Sequence, residues 1–190
     1  AFCRQELGGE FELPDSFKQN MKPNDKLIFF SLGSLGTLNV ELMKRIIAVL
    51  AQTPHWYIVS KGAFHKDFDL PERMWGDNYV PQTKILPLVD LAIIHGGNNT
   101  LTEAFTFGTP VIVMPLFCDQ YDNAQRVQEK GYGARIEPYT FEEQTLLDAI
   151  DRLLNDHELH QRLQIAAKRI ETSNSKEKAC QRIEQLVEQF

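Results

Sequence analysis

The chain has 190 residues, a 43% hydrophobic fraction and a formal net charge of −6. That length and apolar content suit one domain with one core, and an acidic balance with no basic run argues against a nucleic-acid partner. No apolar run approaches the roughly 18 residues that a membrane span requires. Cys3, Cys118 and Cys180 are widely spaced and form no CxxC pair, so neither a zinc site nor a disulfide framework is expected. Reduced thiols of this kind point to a cytoplasmic setting.

In chain order, residues 1–24 read as a linker, with Gly8-Gly9, Pro14 and Pro23. Residues 25–190 then alternate strand and helix patterns. Leu27–Ser31 is a β-rich run, followed by a turn with Gly33, Ser34 and Gly36 and a helical pattern over about 40–51. Trp56–Ser60 reads as another strand, and 64–76 as a loop rich in charge and aromatics. Leu91–Ile94 is continuously apolar, as for a strand buried on both faces. Gly96 and Gly97 follow, then Asn98 or Asn99 as a helix N-cap, and a helix that Gly108 and Pro110 stop. Residues 111–114 form the next strand, and 120–130 a helix for which Asp119 is a cap, a ligand residue or both. Residues 141–154 and 158–171 are amphipathic helices. The polar stretch 175–190 carries Ala179, Ile183, Leu186 and Val187 on one stripe. Alternation of this kind predicts an α/β, Rossmann-like domain, a parallel sheet flanked by helices on both faces.

Polar clusters sit where the apolar runs end. At His95 to Thr100 the chain passes from strand to glycine turn to helix start. Free N–H groups and the positive end of a helix dipole meet there, which makes an anion site that fits a diphosphate. His95, Asn99 and Thr100 would add side-chain donors. Glu103 lies four residues after Asn99 and three after Thr100, on a shared helix face. A carboxylate so placed can accept from both hydroxyls of a ribose. Asp119 and Gln120 follow a strand at the carboxyl edge of the sheet, where open α/β sheets bind ligands. Their paired donors and acceptors suit vicinal sugar hydroxyls. The Gly33 turn repeats the strand–glycine–helix plan, with Ser34 as a second phosphate donor.

Together these motifs resemble the C-terminal half of the UDP-glycosyltransferase family, inverting enzymes of two-domain GT-B architecture. The matching residues are Tyr79-Val80-Pro81-Gln82, His95 to Thr100, Glu103, Gly108-Thr109-Pro110, Asp119-Gln120 and Asn123-Ala124. The resemblance covers roughly residues 25 to 190. It implies that Tyr79 stacks on uracil and that Gln82 meets the uracil or ribose edge. Ser34, His95, Gly97, Asn99 and Thr100 would hold the diphosphate and Glu103 the ribose. Asp119 and Gln120 would hold the sugar, with Asn98 beside it. No metal and no cofactor is implied beyond the UDP-sugar donor. Tyr79 replaces the family's usual Trp, and Asn98 stands where plant members carry a Trp. The interval from Gln82 to His95 is two residues shorter than in most plant and animal members, as in bacterial enzymes that modify small hydrophobic molecules.

In that family the catalytic His, its supporting Asp and the acceptor pocket belong to the N-terminal half. The expectation is therefore a donor-binding domain without an acceptor domain, inactive alone. In the whole enzyme it would serve transfer of a hexose, glucose first, to a small hydrophobic acceptor. The alternatives are a nucleotide-sugar-binding subunit of a split transferase and a UDP-sugar epimerase domain.

Overall fold

The structure, a computed structural model, describes residues 10–188. Cys3, Gly8-Gly9 and the end of the chain at Phe190, all part of the sequence expectations, lie outside the described residues. The elements run α1 (Asp15–Asn20), β1 (Leu27–Ser31), α2 (Gly33–Gly36), α3 (Val40–Leu50), β2 (Trp56–Ser60), β3 (Met74–Asp77) and α4 (Gln82–Ile85). A 3-10 turn (Leu86–Leu88) follows, then β4 (Leu91–Ile94), α5 (Asn98–Phe107), β5 (Val111–Val113), α6 (Gln120–Glu129), β6 (Gly133–Arg135), α7 (Glu143–Asn155), α8 (His157–Glu171) and α9 (Ser175–Val187).

The six strands form one sheet in the order β3-β2-β1-β4-β5-β6. Every pairing is parallel. The chain winds outward from β1 to one edge, then returns to β4 and winds to the other. That reversal leaves a crevice at the carboxyl ends of β1 and β4, the switch point at which such folds bind ligands.

Both faces of the sheet are buried, which explains the unbroken apolar runs of β1, β2 and β4. Alternate residues of β1 divide between two cores. Ile28 and Phe30 join the side of α3, α7 and α8, whereas Leu27 and Phe29 join the side of α1, α5 and α6. A Phe as fully covered as Phe29 or Phe30 contributes roughly 1.5–3 kcal/mol relative to exposure. Asn39 caps α3, its side chain accepting from Leu42 N at 3.1 Å.

Two features differ from the sequence expectations. The stretch expected as a linker contains α1, and its Phe17 is buried edge-on against Trp56 at 4.9 Å between ring centroids. Two short strands, β3 and β6, appear where no strand was expected. Each carries a glycine under a backbone carbonyl: Gly76 beneath Val59 O and Gly133 beneath Val111 O. Close backbone approach, rather than periodic hydrophobicity, is what those strands need. The polar stretch near the end of the chain forms α9 as expected; it buries none of its side chains, and Ile183, Leu186 and Val187 on its apolar stripe are exposed.

Candidate functional site

The two glycine turns expected to hold an anion meet at the switch point. Ser31 ends β1 in register with Ile94 at the end of β4, so the Gly33 and Gly97 turns emerge side by side. The His95 imidazole fills the space between them. A Cβ at Gly33 would lie 2.7 Å from His95 Cε1, and one at Gly97 would collide with His95 Nε2. Gly33 also needs its positive φ of 72°, a conformation that side chains other than glycine resist. Ser31 Oγ fixes this turn by accepting from Gly33 N at 3.2 Å.

The surroundings of His95 favour the neutral imidazole. Burial pushes its pKa below the ordinary value of 6.5, while the Ser31 backbone and the charge of Asp119 act more weakly in the other direction. Its Nδ1 is buried without a hydrogen-bond partner. Such an orphaned atom costs stability, and here it sits where the two turns meet.

The N-cap of α5 is Gly97, not Asn98 or Asn99, and no side chain caps the helix. Asparagine capping requires an extended backbone one position before the helix, and here Gly97 occupies that position with φ −60° and ψ 140°. Asn98 and Asn99 lie in the first turn, exposed, so their amides are not consumed by the helix. Gly108 ends α5 in the left-handed region, with φ 70°.

On one side of these turns lies a cleft of about 610 Å³, bordered by Gly33, Ser34, Gly62, Tyr79, Gln82 and Glu103. Glu103 is only 6% exposed. Gln82 Nε2 donates to Glu103 Oε2 at 2.5 Å and to Thr100 Oγ1 at 3.3 Å. Thus the helix face carrying Thr100 and Glu103 is tied to the Pro81-Gln82 motif, and a buried carboxylate gains a donor. Ser34 is exposed on the single-turn helix α2. Tyr79 is 69% exposed and lies at this cleft's border, a free ring face available for stacking.

The expected sugar side is built differently. Asp119 is exposed at the start of α6, and it caps nothing through its side chain. Its Oδ2 accepts from Asn123 Nδ2 at 3.1 Å. Gln120 is buried, 3% exposed, and its Oε1 accepts from Leu116 N at 2.8 Å and Phe117 N at 3.2 Å. The expectation of two side chains both offering donor and acceptor is reduced accordingly, because Gln120 Oε1 is spent on holding the preceding loop. Of the expected site residues, Ser34, Tyr79, Gln82 and Glu103 line the 610 Å³ cleft, whereas His95, Gly97, Asn98, Asn99, Thr100, Asp119 and Gln120 do not.

Sequence reasoning assigned no role to several residues that shape the site. Thr37 is buried, donates to Ser34 O at 3.2 Å, and underlies Gly62 so closely that no Cβ fits there. This docks the loop after β2 onto the Ser34 turn. The one visible signal was Gly62, two residues after an apolar strand. A larger groove of about 1120 Å³ lies at the α8–α9 elbow, beside the end of α5 that Gly108 stops and away from the two glycine turns. Among the described residues, no group of three His, Cys, Asp or Glu side chains is placed to hold a metal. No helix among them is long and apolar enough to cross a membrane.

Known proteins resemble this chain in sequence and in fold. A family model described as UDP-glucoronosyl and UDP-glucosyl transferase matches residues 10–166. A UDP-glucosyltransferase of Bacillus subtilis strain 168, YojK, is 26% identical over 169 residues, covering 87% of this chain and 42% of its own length. Human UDP-glucuronosyltransferase 2B17 is 30% identical over 149 residues, covering 75% of this chain and 27% of its own. The solved glycosyltransferase of kitacinnamycin superposes with a TM-score of 0.81 at 26% identity, covering 97% of this chain and 47% of that one. The chain therefore spans less than half the length of these relatives. With its parallel Rossmann-like sheet and its two glycine turns meeting on His95, the chain belongs to the UDP-glucuronosyl and UDP-glucosyl transferase family.

Proposed function

We infer that this chain is the donor-binding half of a UDP-glycosyltransferase that moves a hexose, glucose first, from a UDP-sugar to a hydroxyl of a small hydrophobic acceptor. The observation that carries this reading is the convergence of the Gly33 and Gly97 turns on His95 beside the Gln82–Glu103 pair. In this reading the diphosphate lies across both turns, near the start of α5 and the Ser34, Asn99 and Thr100 side chains. Glu103, with Gln82, takes the ribose hydroxyls, and Tyr79 stacks on uracil. Asp119, the Nε2 of Gln120 and Asn98 face the sugar.

Transfer follows from that placement. The acceptor oxygen attacks C1 of the sugar from the face opposite the diphosphate. The C1–O bond to phosphate breaks, its electron pair leaves with UDP, and the configuration at C1 inverts. The acceptor proton passes to a base supplied by the rest of the enzyme. This half stabilises the negative charge that develops on the leaving diphosphate through backbone and side-chain donors already in place, and it orients C1 for attack. No metal or further cofactor enters the scheme. An uncharged hexose suits the site because Asp119 would repel a sugar carboxylate. Cys118 and Cys180, both exposed and unpaired, suit the cytoplasm.

Calorimetric titration of the chain with UDP, UDP-glucose, UDP-glucuronic acid and UDP-N-acetylglucosamine tests this reading. UDP should bind, and UDP-glucose should bind best among the sugars. Absence of UDP binding would overturn the donor-site assignment. Incubation of the chain with UDP-glucose and a phenolic acceptor should yield no glycoside; robust product would overturn the view that the base lies elsewhere.

A further inference from the structure

We propose that Asn123 is a positioning residue that locks the glycine turn and the distal carboxylate of the site into one unit. This rests on the donor-site reading above. Asn123 stands one turn into α6, and its Nδ2 reaches two acceptors, Gly96 O at 2.9 Å and Asp119 Oδ2 at 3.1 Å. A side-chain amide NH₂ has two hydrogens, so one goes to each. Both neighbours are acceptors, which fixes the amide orientation: the Oδ1 end would face oxygen twice.

Each bond aims a group at the ligand. The carbonyl and the following N–H of a trans peptide point in opposite directions. Holding Gly96 O against α6 therefore turns the Gly97 N–H away from α6, as one of the unpaired donors at the start of α5. Holding Asp119 Oδ2 leaves Oδ1, which accepts no hydrogen bond from the described residues, to a ligand. The backbones are close enough for this to act as a rigid link. Gly96 is buried with φ 87°, and a Cβ there would lie 2.6 Å from Val113 Cγ1 and 3.3 Å from Gln120 O. Gln120 Oε1 completes the link by holding the N–H groups of Leu116 and Phe117. Thus the first turn of α6 sets the distance between the groups that would meet the phosphate and the group that would meet the sugar.

The test compares Asn123→Ala, Asn123→Asp, Asp119→Ala and the Asn123→Ala/Asp119→Ala double variant with the wild-type chain. It uses calorimetry with UDP and UDP-glucose, and the NMR amide signal of Gly97 without ligand. Asn123→Ala should move the Gly97 signal and weaken UDP by about 3- to 10-fold, the range of one hydrogen bond. The gain in affinity from UDP to UDP-glucose should shrink, and Asp119→Ala should remove less of it in the Asn123→Ala background than in wild type. Asn123→Asp matches the native side chain in size, so a packing role would survive it, whereas a donor role would be lost as in Asn123→Ala. It also decides the question if Asn123→Ala does not fold. Strictly additive effects on the sugar increment, with the Gly97 signal unmoved in Asn123→Asp, would overturn the proposal. If wild type binds no UDP, the donor-site reading falls, and the Gly97 signal of the ligand-free variants alone decides whether Asn123 aims that peptide.

Discussion

The two ends of the site hold their carboxylates in opposite ways. Glu103 is 6% exposed and tied to Gln82, which also donates to Thr100. Asp119 is exposed and held by a single amide hydrogen of Asn123. A buried carboxylate with one strong donor is costly to disturb, because removing the donor leaves a charge out of water. An exposed one falls back on solvent. The difference suggests a division of labour: the proposed ribose end, at Glu103, is built into the core, and the proposed sugar end, at Asp119, can vary without threatening the fold.

The largest effects should therefore come from the buried end. Gln82→Ala should destabilise the fold by roughly 1–3 kcal/mol, since it leaves Glu103 without its donor, and thermal or urea unfolding would measure it. Glu103→Ala should weaken UDP by roughly 1–3 kcal/mol, as for a lost hydrogen bond to a charged group. Calorimetry showing unchanged UDP affinity in Glu103→Ala would remove the ribose role and with it the contrast between the ends.

Tyr79 separates binding from stability at the same end. Its ring is 69% exposed, so Tyr79→Ala should leave the unfolding midpoint nearly unchanged. It should still lose roughly 0.5–1.5 kcal/mol of UDP affinity through lost stacking, and Tyr79→Trp should bind at least as well. Equal affinity of all three chains would mean that the ring does not touch the base.

How much of this was legible beforehand depended on the kind of force involved. Strands β1, β2 and β4 coincide with their apolar runs because burial on both faces writes a continuous signal. The α/β class followed from their alternation with helices. Strands β3 and β6 were not legible: they are short, half polar, and defined by glycines beneath backbone carbonyls. In the site, the glycine turns and the shared face of Thr100 and Glu103 could be read from spacing. The Gln82–Glu103 bond could not, since it joins residues 21 positions apart on different elements. Nor could the burial of Gln120, whose Oε1 turns back to its own loop. Asn123 stood in the matched motif with no role, because its two partners come together only when α6 packs on Gly96.

At the exposed end the effects should be smaller and confined to the sugar. Asp119→Ala should lower UDP-glucose affinity by about 0.5–1.5 kcal/mol, the net worth of one hydrogen bond, and leave UDP nearly unchanged, because Asn123 can still hold Gly96 O. If UDP and UDP-glucose weaken equally, Asp119 shapes the glycine turn rather than reading the sugar, and the two ends are not independent.

The smallest effect concerns His95, which lies between the ends and belongs to the fold as much as to the site. Burial holds its pKa below 6.5 in the folded chain, whereas the unfolded chain takes up the proton near the ordinary histidine value. Between those two values the unfolded state binds more protons, so stability falls as pH drops below 6.5 and is unaffected by this group above it. His55 is shifted in the same direction, again mainly by burial, and adds to the slope. His95→Gln removes one of the two contributions. Its unfolding midpoint, measured from pH 7.5 down to 5, should fall less steeply than that of wild type on the acid side and run parallel to it above pH 7. The same substitution keeps a polar group between Gly33 and Gly97 but loses the ring that separates them, so UDP affinity should drop at every pH. Midpoints that fall equally steeply in both chains would mean that the core does not depress the His95 pKa.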